Sequence, residues 1–231
     1  MEEKTVDQDG TPGLSCFVDV FDRVDLFDRI DNQAVVNLSS LGQKTGFSSV
    51  DSVQKSTGIL LRRMLKPGVT AIDLATAVFD KLCRGSDYAP ADFSTILLCH
   101  SGVEDEKSEQ LAAALEKHYR LSPNSVQPFN FGCSGFLKLL HEGTLLLADH
   151  SNTKRIALLN VETPESWHDG SDRLFCGIVS AGATGVVLEN NVGVPVTLVR
   201  TEDFEISPAL RPNPLPLFWK ETGQVYTFRG E

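Results

Sequence analysis

Short apolar runs alternate along this chain with longer segments that are apolar on one face. The segments at 95–99 and 155–160 are short and mainly apolar, which is typical of strands buried on both faces of a parallel sheet. A helix is predicted to open at 67–70, and a second helix is predicted to bury Leu111 and Leu115 between these two strands. The order β-α-β-α-β predicts an α/β fold with a mostly parallel sheet.

The two ends of the chain differ from this middle part. Residues 1–13 are polar and acidic, which predicts a disordered tail, and an apolar strand is predicted at 16–20. Apolar side chains at 21–30 have helical spacing between acidic residues. Because we find no internal repeat and no linker, residues 14–231 are predicted to form a single domain. Short strands are predicted in the last quarter of the chain, at 174–179, 185–188, 194–199 and 225–228.

One cysteine, Cys133, occupies the most informative position in the sequence. An apolar stretch at 126–131 predicts a strand, Gly132 permits a sharp turn, and apolar residues then return at helical spacing. The thiol is therefore predicted to lie at a helix N-terminus, where unpaired N–H groups and the helix dipole favour the nucleophilic thiolate. Chemistry that forms an acyl-thioester uses a nucleophile in such a setting. The alternative interpretation is a small core residue, which is the role of most lone cysteines.

Composition narrows the range of functions. The 231 residues carry a net charge of −10, which argues against a nucleic-acid partner. The five cysteines are far apart and contain no C-x-x-C pair, so neither a disulfide framework nor a zinc site is expected, and a reducing, cytoplasmic location is predicted. No apolar run approaches the ~18 residues that span a bilayer, and the N-terminus lacks a signal-peptide pattern, so no membrane span is expected.

The histidines are weaker candidates than the cysteine. His100 follows a predicted buried strand at its carboxyl end, where ligand sites of α/β sheets open. His141 lies in the same predicted helix as the cysteine but about 12 Å along it by helix rise, too far for a thiolate–imidazolium pair, so we interpret it as structural. His118 is predicted to face solvent, and His150 and His168 fall in predicted loops.

Four segments, in order, resemble a ketoacyl synthase III-like condensing enzyme of the thiolase fold. The segment 56–59, S-T-G-I, resembles an early T-G-I element, and 70–75 lies where the first long helix of that family begins. The segment 131–136, F-G-C-S-G-F, resembles the nucleophile motif A-C-S-G-F and is the specific match. The segment 180–189 resembles the glycine-rich segment that closes the N-terminal half of that family. The resemblance therefore covers that half only, over roughly 14–190.

This resemblance implies a thiolase-like half-fold, with a five-stranded, mixed, mostly parallel sheet and helices on both faces. It implies that Cys133 accepts an acyl group from an acyl-CoA or acyl-carrier-protein thioester, in fatty-acid-like or specialised metabolism. We expect the substrate to be bound by Gly132, Ser134 and Phe136, which lie next to the cysteine in sequence. His100 is also expected to bind the substrate, because it follows a predicted buried strand at its carboxyl end. The thioester is a substrate, and neither a cofactor nor a metal is expected.

The sequence also departs from that family. It has no H-Q-A-N-like or G-N-T-S-like segment, and Ser180 and Ala181 replace the Gly-Asp of the glycine-rich segment. Condensation needs donors that stabilise an enolate, and the loss of one such donor costs about 10²–10³ in rate. We therefore expect one subunit of a split condensing enzyme, whose catalytic histidine and asparagine come from a second ketoacyl-synthase-like subunit or a homodimer mate.

Two other functions stay open at this point. One is a non-catalytic partner that shapes the acyl tunnel of another synthase, which the loss of Gly-Asp favours. The other is a cysteine hydrolase, because G-C-S-G-F loosely resembles the G-x-S-x-G turn of hydrolases. Its glycines have a different spacing, and this makes the hydrolase the weakest of the three hypotheses.

Overall fold

Residues 10–42, 44–102, 105–149 and 153–196 are the part of the chain that the structure, a computed structural model, describes. They form two compact units, with the first inside 10–22, 71–161 and 183–196 and the second inside 23–70 and 162–182. The strands are β1 (Pro12–Asp19), β2 (Phe27–Asp31), β3 (Leu61–Leu65), β4 (Thr95–His100), β5 (Val126–Phe129), β6 (Arg155–Glu162), β7 (Gly182–Asn190) and β8 (Val194–Pro195). The α-helices are α1 (Asn32–Ser39), α2 (Val50–Thr57), α3 (Ala71–Ser86), α4 (Asp105–Tyr119), α5 (Gly135–Asp149) and α6 (Arg173–Cys176).

A sheet in the order β5-β4-β6-β7-β1-β8 organises the described part of the first unit. β4 is the centre of a parallel trio, because Leu98 pairs with Pro128 of β5 and with Leu159 of β6. β1 runs antiparallel to β7 and to the two-residue β8. The predicted α/β fold with a mixed sheet is confirmed, and β8 adds a short sixth strand to the five that were expected.

Helices cover both faces of this sheet, as predicted. Leu158 and Leu159 are neighbours in β6, so their side chains point to opposite faces. On one face, a methyl group added to Gly143 of α5 would lie 3.3 Å from Leu158. On the other face, a methyl group added to Gly185 of β7 would contact Leu159 and would lie 3.4 Å from Val78 of α3. α5 therefore packs on one face of the sheet, and α3, which α4 contacts, packs on the other.

The second unit is built around the antiparallel pair β2 and β3. Arg62 of β3 is buried, and its guanidinium donates to the carbonyl of Gly177, to Thr57 Oγ1 at 3.0 Å and to Asn32 Oδ1. Burial lowers the pKa of Arg62, and the hydrogen bonds are what make this buried cation tolerable. Gly58 ends α2 with a φ of 69°, so the glycine of S-T-G-I has a conformational role as a helix cap.

Two predictions of local structure were wrong. The segment 174–179 is not a strand, because Arg173–Cys176 is α6 and the N–H groups of Ile178 and Val179 both donate to the carbonyl of Phe175, closing helical turns. The segment 21–30 is not a helix, because Phe27–Asp31 pairs with β3, and Val24 is left exposed. In both places tertiary contacts override the local spacing.

Several boundaries also differ from those predicted. β1 begins at Pro12, inside the predicted tail 1–13, because Pro12 pairs with Asn190 of β7. Residues 1–9 and the predicted strand at 225–228 lie outside the described residues. β5 ends at Phe129, short of the predicted 131. That residues 14–231 form a single domain stays a prediction.

Candidate functional site

The connection between β5 and α5 presents Cys133 to solvent. The residues Gly132–Ser134 form a 3₁₀ turn that leads directly into α5, and Gly132 adopts a φ of 51°, a value that favours glycine. The predicted strand–turn–helix is confirmed. Cys133 is exposed, in contrast to the buried Cys99 and Cys176, so the interpretation of Cys133 as a core residue is wrong.

The first turn of α5 lies against the end of the sheet with no room for a side chain at Gly135. A methyl group there would overlap Cys99 Sγ and come within 3.0 Å of Asn160 Oδ1. Phe129, Cys99 and Asn160 form a row across β5, β4 and β6 in the parallel register. The glycine of the C-S-G sequence is therefore a packing requirement, and it fixes the start of the helix that carries the cysteine turn.

Asn130 connects the two loops at the carboxyl ends of β4 and β5. Its Oδ1 accepts from the N–H of Gly102 at 3.1 Å, and its Nδ2 donates to the Gly102 carbonyl at 2.9 Å and to Asp105 Oδ1 at 3.0 Å. The sequence analysis missed this residue. The signal that it offered was an asparagine directly after a strand, a residue type that commonly bonds to loop backbone.

Exposed apolar side chains occur close to the cysteine in sequence. Phe131 is 52% exposed and Leu137, one turn into α5, is 68% exposed. Lys138 lies over the Phe131 ring at 5.2 Å and pairs with Glu142 at 2.5 Å. Further along the helix, His141 and Leu145 are exposed too. We name the exposed residues Leu137, His141 and Leu145, which follow each other at helical spacing, the α5 stripe.

The structure separates the predicted substrate-binding residues into two groups. Gly132 and Ser134 are exposed beside Cys133, whereas Phe136 is half-buried and packs on the core cluster under α5. His100 is 4% exposed at the end of β4. Because the adjacent Cys99 faces α5, the His100 side chain points to the other face of the sheet, away from the cysteine turn. That these residues bind substrate stays a prediction.

Burial determines the charge state of His100. Desolvation first, and Lys107 of α4 second, lower the pKa of His100 to about 4. The imidazole is therefore neutral near pH 7. Its backbone carbonyl accepts from Ser108 Oγ at 2.9 Å, which ties the end of β4 to α4.

The other described histidines lie apart from the cysteine turn or in the second unit. His141 is exposed on α5, about 12 Å beyond the cysteine by helix rise, and His118 is exposed on α4. His168, in the second unit, is buried and stacks on Phe175 with ring centroids 4.8 Å apart. His150 lies outside the described residues.

The described residues contain neither a metal-ligand cluster nor a membrane-spanning helix. Within this part of the chain, no three His, Cys, Asp or Glu side chains come together as metal ligands do. In the same ranges, no helix is both long and apolar enough to cross a membrane. The expectations of no metal, no cofactor and a cytoplasmic location stay predictions.

The chain matches curated β-ketoacyl-(acyl-carrier-protein) synthase III proteins in sequence. It is 28% identical to the one from Prochlorococcus marinus (strain NATL2A) over 161 residues. The aligned region covers 69% of this chain and 46% of that protein. It is 25% identical over 146 residues to synthase III 2 of Streptomyces avermitilis, with coverage of 62% and 44%. The chain thus spans about half the length of the curated relatives it matches. No family model matches it.

Solved structures give the same result for the fold. The 3-oxoacyl-(acyl-carrier protein) synthase from Burkholderia xenovorans matches with a TM-score of 0.62 and 23% identity, over 80% of this chain and 50% of that one. A priming β-ketosynthase of a polyketide biosynthetic pathway matches with a TM-score of 0.63 and 16% identity, over 80% and 52%. This chain resembles the ketoacyl synthase III-like condensing enzymes. The predicted resemblance and the thiolase-like half-fold are confirmed.

Proposed function

We propose that this chain is an acyltransferase subunit of a ketoacyl synthase III-like condensing enzyme, and that Cys133 is its acyl acceptor. The observation that supports this proposal most directly is the exposed thiol in the turn between β5 and α5. This turn carries the F-G-C-S-G-F sequence that resembles the nucleophile motif of the family. The named relatives are β-ketoacyl-(acyl-carrier-protein) synthases, which makes an acyl thioester the natural substrate class.

The proposed step is a thioester exchange at Cys133. The Cys133 sulfur, as a thiolate, attacks the carbonyl carbon of an acyl-CoA or acyl-carrier-protein thioester and forms a new carbon–sulfur bond. The bond to the carrier sulfur breaks, and the carrier leaves as a thiolate that takes up the proton released by Cys133. No oxidant and no metal enter this balance. The positive end of the α5 dipole stabilises negative charge near the turn.

Condensation needs more than this turn supplies. The enolate of the extender unit has to be stabilised by donors close to the acylated sulfur. The described histidines of the first unit do not meet this requirement, since His100 faces the other side of the sheet and His141 lies about 12 Å along the helix. We therefore propose that a second ketoacyl-synthase-like subunit supplies the histidine and the asparagine.

The exposed α5 stripe supports the proposal that a second subunit docks beside Cys133. Leu137 and Leu145 of the stripe are exposed, and so is Phe131 two residues before Cys133. Several large apolar side chains exposed near a reactive group favour an interaction surface. A subunit docked on the stripe would cover the apolar residues and bring its own side chains to Cys133.

A second function has one observation in its favour. Ser180 and Ala181, which replace the Gly-Asp of the family, hold the backbone of β3: Ser180 Oγ accepts from the N–H of Arg63 at 2.8 Å, and the Ala181 N–H donates to the Arg63 carbonyl at 2.8 Å. These two residues therefore have a structural use in this chain. This favours the alternative proposal of a non-catalytic subunit that shapes the acyl tunnel of another synthase.

Intact-mass spectrometry separates the two functions. The purified chain is incubated at neutral pH with acyl-CoA thioesters of increasing length, beside Cys133→Ser and the matched control Cys83→Ser. Burial, and next Asp80, raise the pKa of the Cys83 thiol to about 11, so its loss leaves the reaction unaffected. We expect a mass increment of one acyl group in the native chain and the control, absent in Cys133→Ser and removed by hydroxylamine. An unmodified native chain contradicts acyl transfer and leaves the non-catalytic subunit.

The role of the second subunit has its own measurement. A malonyl thioester is added to the acyl-loaded chain by itself. It is also added to the chain co-expressed with a ketoacyl-synthase-like subunit that carries the H-Q-A-N-like and G-N-T-S-like segments. We expect no ketoacyl product from the chain alone and product from the pair. Product from the chain alone at the same rate contradicts the need for a partner.

A further inference from the structure

A cavity opens in the first unit at the end of the sheet that lies opposite the cysteine turn. Its volume is about 420 Å³, within the range of small-molecule sites. Most of its lining residues belong to the connections that enter β4 and β5 at their amino ends, whereas Cys133 follows the carboxyl end of β5. The six residues of β4 separate the two ends of the sheet by about 20 Å, so the cavity and the cysteine turn are distinct places.

The apolar side of this cavity is held in place by the core. Phe93 and Tyr119 both line the cavity, and their rings pack on the buried Phe79 with centroids 5.5 and 5.0 Å away. Tyr119 Oη donates to Asp80 Oδ1 at 2.7 Å. Because its hydroxyl is occupied in this way, Tyr119 offers a ligand its ring. A preformed aromatic surface of this kind suits a ligand with an apolar body.

The polar side of the cavity consists of hydroxyl groups and one cation. Ser94 and Ser122 are among the residues that line it. Ser94 Oγ accepts from the N–H of Lys154 at 3.1 Å, so its own O–H can donate to a ligand. Among the lining residues, all of them in the described ranges, Arg120 alone is charged. The cavity therefore offers donors and a single positive charge.

Arg120 has a backbone conformation that usually belongs to glycine. It directly follows α4 with a φ of 54°, and the residue at such a left-handed position after a helix is most often glycine. The ion pairs within the described part of the chain do not include its guanidinium. A charged side chain at a strained position beside a cavity favours a functional use of that side chain.

We propose that this cavity binds an organic carboxylate with an apolar body. The carboxylate pairs with Arg120, and the apolar body lies on Phe93 and Tyr119. A guanidinium can bind a carboxylate through two parallel hydrogen bonds, and one cation matches the single charge of such a ligand. The proposal goes beyond acyl transfer and does not rest on it, because the cavity is at the other end of the sheet from Cys133.

A titration with octanoate tests the proposal. Backbone amide shifts of the isotope-labelled chain give both the dissociation constant and the place of binding. We expect saturable binding with a dissociation constant below about 1 mM and shifts at 89–96 and 119–125. The absence of saturable binding overturns the proposal, and so do shifts confined to the cysteine turn.

Two other ligands separate the charge of the probe from its apolar body. Octanamide keeps the body and the shape of the head group without the charge, and inorganic phosphate keeps an anionic group without the body. Each is expected to bind at least about tenfold more weakly than octanoate. Octanamide that binds as tightly as octanoate contradicts the pairing with Arg120. Phosphate that does so contradicts the use of the aromatic surface.

Arg120→Gly removes the cation and suits the left-handed backbone, so the variant is expected to fold at least as stably as the native chain. We expect its dissociation constant for octanoate to rise at least about tenfold, whereas its urea midpoint should not fall. Native affinity in Arg120→Gly overturns the proposal.

Two matched controls separate this effect from changes of the loop and of the net charge. Asn124→Gly places a glycine at a second left-handed position, with a φ of 64°, in the same connection but outside the cavity lining. Lys117→Gln removes an exposed cation close in sequence that does not line the cavity either. Both controls are expected to bind octanoate like the native chain, and a loss as large as that of Arg120→Gly in either one contradicts a specific contact with Arg120.

Discussion

Leucines lie on two faces of α5, and the described residues cover only one of these faces. On the sheet side, Leu139 is fully buried, and glycines at 135 and 143 let the helix approach the strands closely. On the other side, Leu137 and Leu145 of the α5 stripe are exposed. The proposed partner subunit would cover this second face and so complete the packing of α5.

The largest loss of stability is expected when a buried side chain is removed from the face of α5 that packs on the sheet. Leu139→Ala deletes atoms from the core cluster under α5 and is expected to lower the free energy of unfolding by about 2–5 kcal/mol. Leu137→Ala, two residues away, is the control and should change it by less than about 0.5 kcal/mol. Urea unfolding followed by circular dichroism measures both, and similar losses would show that the stripe is already covered.

Addition of one methyl group should test the close approach at the start of α5. Gly135→Ala places a carbon against Cys99 Sγ and Asn160, and we expect a loss of about 1–3 kcal/mol in the free energy of unfolding. Gly170→Ala is the matched control, because its methyl group meets no atom within 4 Å. A stability of Gly135→Ala equal to that of the control would mean that the helix can move away from the sheet at no cost.

The pH dependence of stability tests the burial of His100, which lies on the covered side of the molecule. Burial lowers the pKa of folded His100 to about 4, while the unfolded chain titrates near 6.5. Between these values the unfolded chain binds a proton that the folded chain lacks. The free energy of unfolding therefore falls as the pH drops from about 6.5 to about 4, by at most about 1.4 kcal/mol per unit.

Unfolding curves at several pH values measure this slope. In His100→Gln the contribution of this residue to the slope is expected to disappear. An unchanged slope in His100→Gln would assign the pH dependence to other groups.

The turn at Cys133 could be predicted because its determinants are local. A strand-like run, a glycine and a return of apolar residues at helical spacing all lie within a few positions. The structure has the strand, the turn and the helix in this order, although the strand ends two residues earlier than predicted. The same is true of β4, whose apolar run is buried at every position. Local patterns of this kind depend little on the rest of the chain.

The features that the sequence did not reveal depend on distant residues. Asn130 gains its role only when the β4–α4 loop lies beside it, 28 residues away in sequence. The segment 174–179 has the composition of a strand, but its backbone closes helical turns on Phe175. The exposure of Leu137 was not predictable either, because a helix with leucines on every side gives no periodic signal of which face is covered.

The pairing of β1 with β7 has a consequence for biosynthesis. Ser15 Oγ donates to Glu189 Oε1 across 174 residues of sequence, and the two strands flank nearly the whole described chain. A ribosome adds about 5–20 residues per second, so the first strand emerges many seconds before its partner exists. During this interval β1 lacks its partner strand β7. The nascent protein cannot complete its sheet until synthesis has passed residue 190.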